Sequence, residues 1–217
     1  MKERRWEIIS SERHFANAHL NVVTDRVRTP SRSEPHTWTV VHRKAAVVIA
    51  SITRDGKIVL IRQERIPIRE AIWETPSGQI DSAVAGITKE RRLGQPSEHD
   101  GREAVTPCAE TIEQVALREL REEAGYEIAK DGELVSLGHY FSSPGFTDER
   151  GYFFLARPVQ RCKEGPARDE GESILDCREF TVEEIRRMIA ENEIRDANTL
   201  GICATLAARG LLSLAPR

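Results

Sequence analysis

Hydrophobic residues along this chain alternate with polar ones, or run together briefly, over most of its length; they take helical spacing in three places. Residues 6–9, 19–27 and 37–42 read as short strands, parted by the turn-rich Thr29-Pro30-Ser31-Arg32-Ser33-Glu34-Pro35. This predicts a three-stranded antiparallel sheet over residues 1–43. Alone it is too small to bury a core, so it must pack against the rest of the chain or a second subunit. Residues 45–51 and 57–61 are continuous apolar runs joined by Thr53-Arg54-Asp55-Gly56, whose Asp-Gly is a strong hairpin signal. They read as central strands. A shorter strand over 71–75 is broken by Pro76-Ser77-Gly78 into a loop whose carbonyls could face a cation. No period persists through residues 82–107, which read as a loop or small lid. Further strands are expected over 132–140, 151–159 and 174–180.

The first helical stretch is the most informative. Thr111-Ile112-Glu113-Gln114 has the form of a capping box, Ile112, Ala116, Leu120 and Ala124 make an apolar stripe, and Gly125 supplies a left-handed stop. Glu119 and Glu123 are four apart, so their carboxylates share one face, and Glu122 lies on the neighbouring edge. Like charges so placed repel by about 0.2–0.5 kcal/mol per exposed pair. A solvated charged face is one explanation; a hard divalent cation, which takes oxygen ligands, is the other. Arg118 is placed to orient one of these carboxylates. Two helices close the chain. Thr181-Val182-Glu183-Glu184 is a second capping box, with Ile185, Met188 and Ile189 turned inward, and the last helix runs over 197–209 to Gly210.

Composition narrows the class. A chain of 217 residues with 39% hydrophobic content can bury a core, and a net charge of −3 with pI near 6.1 argues against a general nucleic-acid or membrane surface. Cys108, Cys162, Cys177 and Cys203 are widely spaced without a CxxC, which fits reduced thiols in a cytoplasmic protein rather than a zinc site. No run is long enough to span a membrane and no signal-peptide core follows Met1-Lys2-Glu3-Arg4-Arg5.

Glu110, Arg118-Glu119, Glu122-Glu123 and Gly125-Tyr126 resemble the second half of the Nudix box. Six positions before Glu110 stands Ala104 rather than the box's Gly. The matching glycine is Gly78, in Trp73-Glu74-Thr75-Pro76-Ser77-Gly78-Gln79-Ile80-Asp81, which resembles the lead segment of the ADP-ribose and nucleoside-diphosphate-sugar branch. The 28 residues between Asp81 and Glu110 read as an insertion splitting the box. Ser142-Ser143-Pro144-Gly145-Phe146-Thr147-Asp148-Glu149 resembles a second family segment, independent of the box.

The resemblance implies an α/β fold, the Nudix α/β/α sandwich with a mixed sheet, over residues 44–217, with the N-terminal sheet of 1–43 as an arm reaching a homodimer partner. It implies hydrolysis of a nucleoside diphosphate sugar, ADP-ribose to AMP and ribose 5-phosphate first, with two or more Mg²⁺ (or Mn²⁺). A nucleoside diphosphate hexose, a dinucleotide, a nucleoside triphosphate, or a catalytically silent nucleotide sensor are the alternatives. By the same resemblance Ser77 (through its carbonyl), Glu119, Glu123 and Glu172 are metal ligands, and Glu170 and Glu122 are catalytic. Glu170 and Glu172 could exchange roles. Trp38, Arg43, Arg65 and Gly78 line the substrate site, Trp38 by stacking on adenine or by plain packing, Arg65 by gripping phosphate or as an ordinary strand-end residue.

Overall fold

The computed structural model describes residues 5–80, 110–168 and 173–214, which fall into two compact units. The first unit includes residues 5–44 and 141–149. Its strands β1 (Glu7–Ala16), β2 (Leu20–Arg28) and β3 (His36–Arg43) form the antiparallel sheet the sequence predicts, in the order β1-β2-β3. β1 runs well past the apolar residues that announce it. Its polar second half, Ser11 and Arg13 included, is held by register with Asp25 and Val23 of β2, and backbone pairing outweighs composition there. Among the described residues of this unit, Val23 is the one buried hydrophobic, while Trp6, Ile8, Ile9, Phe15 and Trp38 are exposed.

The second unit includes residues 45–80, 112–140 and 150–214. β4 (Ala46–Thr53) and β5 (Ile58–Arg65) form the predicted hairpin, with Gly56 at φ +80° in its turn. They pair only at Ser51–Val59 and Ile52–Ile58 and then part. The fork is filled by β6 (Glu70–Glu74) along β5 and β7 (Ser77–Gln79) along β4. β8 (Tyr126–Phe141), β9 (Arg150–Arg161) and β10 (Ile174–Phe180) complete a sheet of order β10-β5-β4-β9-β8, in which β4 and β9 run parallel. The sheet is therefore mixed, as expected. Helices α2 (Val182–Ala190) and α3 (Ala197–Ala208) cover one face, where Ile185, Met188, Ile202 and Leu206 pack on Val48, Ala50, Ile58, Leu60 and Leu155. The alternate residues Val47, Ile49, Val59 and Ile61 are buried on the other face, under helix α1 (Ile112–Glu119).

Two expectations are corrected. Ser77 and Gly78 belong to a short strand rather than a loop: once β5 leaves, the open edge of β4 needs partners, and Gly78 and Ser77 pair with Val47 and Val48 while Ile49 N–H donates to the Pro76 carbonyl at 2.9 Å. The strand expected over 132–140 begins directly after Gly125, at Tyr126. Residues 82–107, Glu170 and Glu172 lie outside the described residues. No helix among the described residues is long and apolar enough to cross a membrane.

Candidate active site

α1 starts immediately after Thr111 and does not stay an α-helix: Leu120–Ala124 form a π-helical turn, ended by Gly125 at φ +71° in the left-handed region. A π turn widens the helix locally and is common at functional sites. Here Glu119 and Glu123 are both buried, at 6% and 1% exposure, together with the stripe residues Ala116, Leu120 and Ala124. Burying two carboxylates on one helix face is costly unless they are hydrogen-bonded or bind a cation, so the solvated-face explanation fails for this pair. Glu122 stays partly exposed. Arg118 Nη1 donates to Glu122 Oε2 at 2.7 Å and Nη2 lies 3.0 Å from Glu119 Oε1, so one guanidinium ties the two together.

β7 meets this face. Ser77 N–H donates to Glu123 Oε2 at 2.7 Å. A Cβ on Gly78 would overlap the Glu119 carboxylate, so only glycine lets that side chain lie against the strand. The fold thus brings together Ser77, Gly78, Glu119 and Glu123. Among the described residues no group of three or more His, Cys, Asp or Glu forms a metal cluster. Mg²⁺, however, is typically held by one or two carboxylates and completes its shell with phosphate oxygens and water, and two buried carboxylates beside a glycine strand fit that donor set.

Arg65, at the end of β5, is tied to the neighbouring strand β6. Its Nε and Nη2 donate to Glu74 Oε1 and Oε2 at 2.9 and 2.6 Å, a two-pronged grip on a carboxylate that is 2% exposed. Burial pushes the Glu74 carboxyl above its usual range, with Asp196 adding to this and Arg65 opposing it. Burial also works to lower the Arg65 pKa, yet Glu74, Glu123 and Asp196 more than offset it and hold the guanidinium firmly charged. Arg65 therefore feels the same acidic centre as the helix. Arg168 joins it too, donating to the Glu123 carbonyl at 3.3 Å and to the Ile174 carbonyl at 3.0 Å. Neither Glu74 nor Arg168 is singled out by the sequence: Glu74 stands in the segment that resembles the family lead, but its pairing with Arg65 and the grip of Arg168 on a backbone carbonyl depend on strand neighbours that the segment does not name. The Cys177 and Cys203 thiols are pushed up to about 11 by burial, so they are protonated at neutral pH and take no nucleophilic part.

Two more predicted residues, Trp38 and Arg43, belong to the first unit. Trp38 is 59% exposed and its indole N–H donates to the Gly145 carbonyl at 2.9 Å. It lines a cavity of about 640 Å³ with Trp6, Val27, Val40 and Pro144, and Asp25 and His36 also border it. Arg43 pairs with Glu149, 3.1 Å from its Oε1, and its backbone N–H donates to Asp148 Oδ1 at 3.3 Å. His42 Nδ1 lies 2.7 Å from Asp148 Oδ2 and Val41 N–H donates to the Phe146 carbonyl at 2.8 Å. The Ser142–Glu149 segment is thereby stitched along β3.

Comparison with known proteins agrees with this geometry. The pattern of the NUDIX domain matches residues 41–200. The chain is 28% identical over 199 residues to a protein of Bacillus subtilis named ADP-ribose pyrophosphatase, covering 92% of this chain and 91% of that one. It is 28% identical over 192 residues to the methanol dehydrogenase activator of Bacillus methanolicus, covering 88% and 87%. A solved structure of an ADP compounds hydrolase superposes with a TM-score of 0.69 at 16% identity, over 98% of this chain and all of that one, and shares the fold. With the family pattern spanning most of the chain and its glycine and buried glutamates assembled across a split box, the protein belongs to the Nudix family.

Proposed function

We propose that the protein is a Mg²⁺-dependent pyrophosphatase of nucleoside diphosphate sugars, with ADP-ribose as substrate and AMP and ribose 5-phosphate as products. The observation that carries this reading is the pairing of two buried helix carboxylates with β7, through the Ser77–Glu123 hydrogen bond and the Gly78–Glu119 contact. Glu119, Glu123 and the Ser77 carbonyl would hold Mg²⁺, which offsets the charge of the diphosphate and acidifies water. Arg65, kept charged by Glu74, binds a phosphate oxygen with the part of its fork that Glu74 leaves free. Arg118 orients Glu119 and Glu122, leaving Glu122 at the rim to share in proton transfer. Glu170 takes the proton of the attacking water and Glu172 adds a ligand, or the two exchange these tasks. Water attacks one phosphorus, the bridging P–O bond breaks, and the leaving phosphate carries the electron pair. Trp38 and Arg43 are further substrate-binding candidates, the first for the base and the second for a phosphate.

The first unit, with little buried apolar surface of its own, finds its cover in a second copy of the chain, which makes the active form a homodimer. The relative named ADP-ribose pyrophosphatase supports the choice of substrate. The relative named methanol dehydrogenase activator favours a second reading, in which the protein binds a nucleotide and acts on a partner protein.

The test is release of AMP and sugar phosphate from ADP-ribose, other nucleotide sugars, dinucleotides and nucleoside triphosphates, with Mg²⁺ and with chelator. Glu123→Gln should keep the fold and lose roughly 10³-fold or more in turnover, the scale of several kcal/mol of charge stabilisation. Turnover near wild type would remove the carboxylate centre from the mechanism. Nucleotide binding without turnover of any of these substrates would favour the second reading.

A further inference from the structure

We infer that Thr199, at the start of α3 and outside the carboxylate helix, is a positioning residue for the metal carboxylates. The inference rests on the pyrophosphatase reading. Thr199 is fully buried, at 0% exposure, and its hydroxyl occupies a junction. Thr199 Oγ1 donates to Asp196 Oδ2 at 2.8 Å, and the same oxygen of Asp196 accepts the Thr199 backbone N–H at 2.8 Å. With its proton committed to Asp196, Thr199 Oγ1 presents lone pairs the other way. There it accepts the buried backbone N–H of Thr75 at 2.9 Å, with the Thr75 hydroxyl 3.4 Å away.

Thr75 stands two residues before Ser77, with Pro76 between them. The proline ring fixes φ near −65°, so a displacement of Thr75 is passed on rather than absorbed. The Pro76 carbonyl is itself held by Ile49 N–H at 2.9 Å. The segment lies in the fork between β4 and β5 and is gripped from both faces of the sheet. α3 holds it at Thr75, and on the side of α1 Ser77 N–H holds Glu123 while Gly78 meets Glu119. Thr199 therefore sets the level at which both carboxylates are presented, although it touches neither. An ordinary helix cap would need only the Asp196 contact to Thr199 N–H; the hydroxyl bridge to Thr75 goes beyond capping.

The experiment compares wild type with Thr199→Val, which keeps the shape and loses the hydroxyl, and Thr199→Ser, which keeps the hydroxyl. Thr199→Ala replaces the valine variant if that one does not fold, as judged by near-UV circular dichroism. Mn²⁺ binding is read by electron paramagnetic resonance without substrate, and kcat and KM for ADP-ribose are measured alongside. Loss of the hydroxyl should weaken Mn²⁺ binding and lower kcat by roughly tenfold or more, the size typical of removing a partner that orients metal ligands, with KM little changed. Thr199→Ser should restore both. A folded valine or alanine variant equal to wild type in Mn²⁺ affinity and kcat, or a serine variant as impaired as they are, would overturn the inference alone. A wild type that neither binds Mn²⁺ nor cleaves any diphosphate would overturn the functional reading, and this inference with it.

Discussion

At the scale of single residues, the centre depends on what is missing from Gly78 as much as on what Glu119 and Glu123 carry. Any side chain there would occupy the volume of the Glu119 carboxylate. Gly78→Ala should therefore displace Glu119, cost about 1–3 kcal/mol of stability through overpacking, and lower turnover by roughly 100-fold, the size expected for a shift of about 1 Å in a reacting arrangement. Chemical denaturation and steady-state kinetics on the one variant check both. The sequence made this glycine legible through its neighbours Glu74 to Asp81, even though it stands far from the glutamates in the chain. It did not make Glu74 legible as the buried partner of Arg65, because that pair forms between adjacent strands whose register is set by the β5–β6 turn and by no motif.

At the scale of elements, α1 and α2 show two kinds of legibility. α2 is written in its capping box. Thr181 Oγ1 accepts from Glu184 N–H at 3.2 Å and Glu184 Oε2 accepts from Thr181 N–H at 2.7 Å, as the residue types require. Thr181→Ala should cost about 1 kcal/mol, measured by thermal or denaturant unfolding. The Glu184 carboxyl is held below its ordinary 4.5, first by the Thr181 backbone N–H and then by the Thr181 hydroxyl. A depressed folded pKa means the box contributes in full above 4.5 and fades as pH falls through the folded value. The stability advantage of wild type over Glu184→Gln should therefore vanish in acid and be constant from pH 6 upward. α1, by contrast, is predicted in place but not in kind. The same residues satisfy an α-helix or a π turn locally, and the choice falls to tertiary contacts such as Ser77 N–H with Glu123, to which a four-residue periodicity is blind.

At the scale of the whole molecule, the three-stranded sheet and the β4–β5 hairpin were foreseeable, since alternation and the Asp-Gly turn are local signals. The fork in the sheet was not, because nothing in residues 45–65 says that β4 and β5 separate after two register pairs, and it is this fork that turns Ser77 and Gly78 from loop into strand. The first unit leaves Trp6, Ile8, Ile9 and Phe15 exposed around a single buried valine among its described residues. Sedimentation equilibrium should accordingly show a dimer, and charged replacement of Ile8 and Phe15 together should shift it toward monomer; a monomer in the wild-type protein would refute the homodimer. A last consequence concerns the place where the box is split. Ile80 N–H is pinned to the Ala45 carbonyl at 2.8 Å, and α1 is under way by Ile112, so the chain is fastened on either side of the intervening residues by bonds that do not involve them. Doubling the length of a connection between fixed points costs only about 0.6 kcal/mol. A guest sequence or affinity tag spliced between Ile80 and Ile112 should therefore leave the glycine and glutamates able to find each other, and Mn²⁺ binding by such a variant would check it.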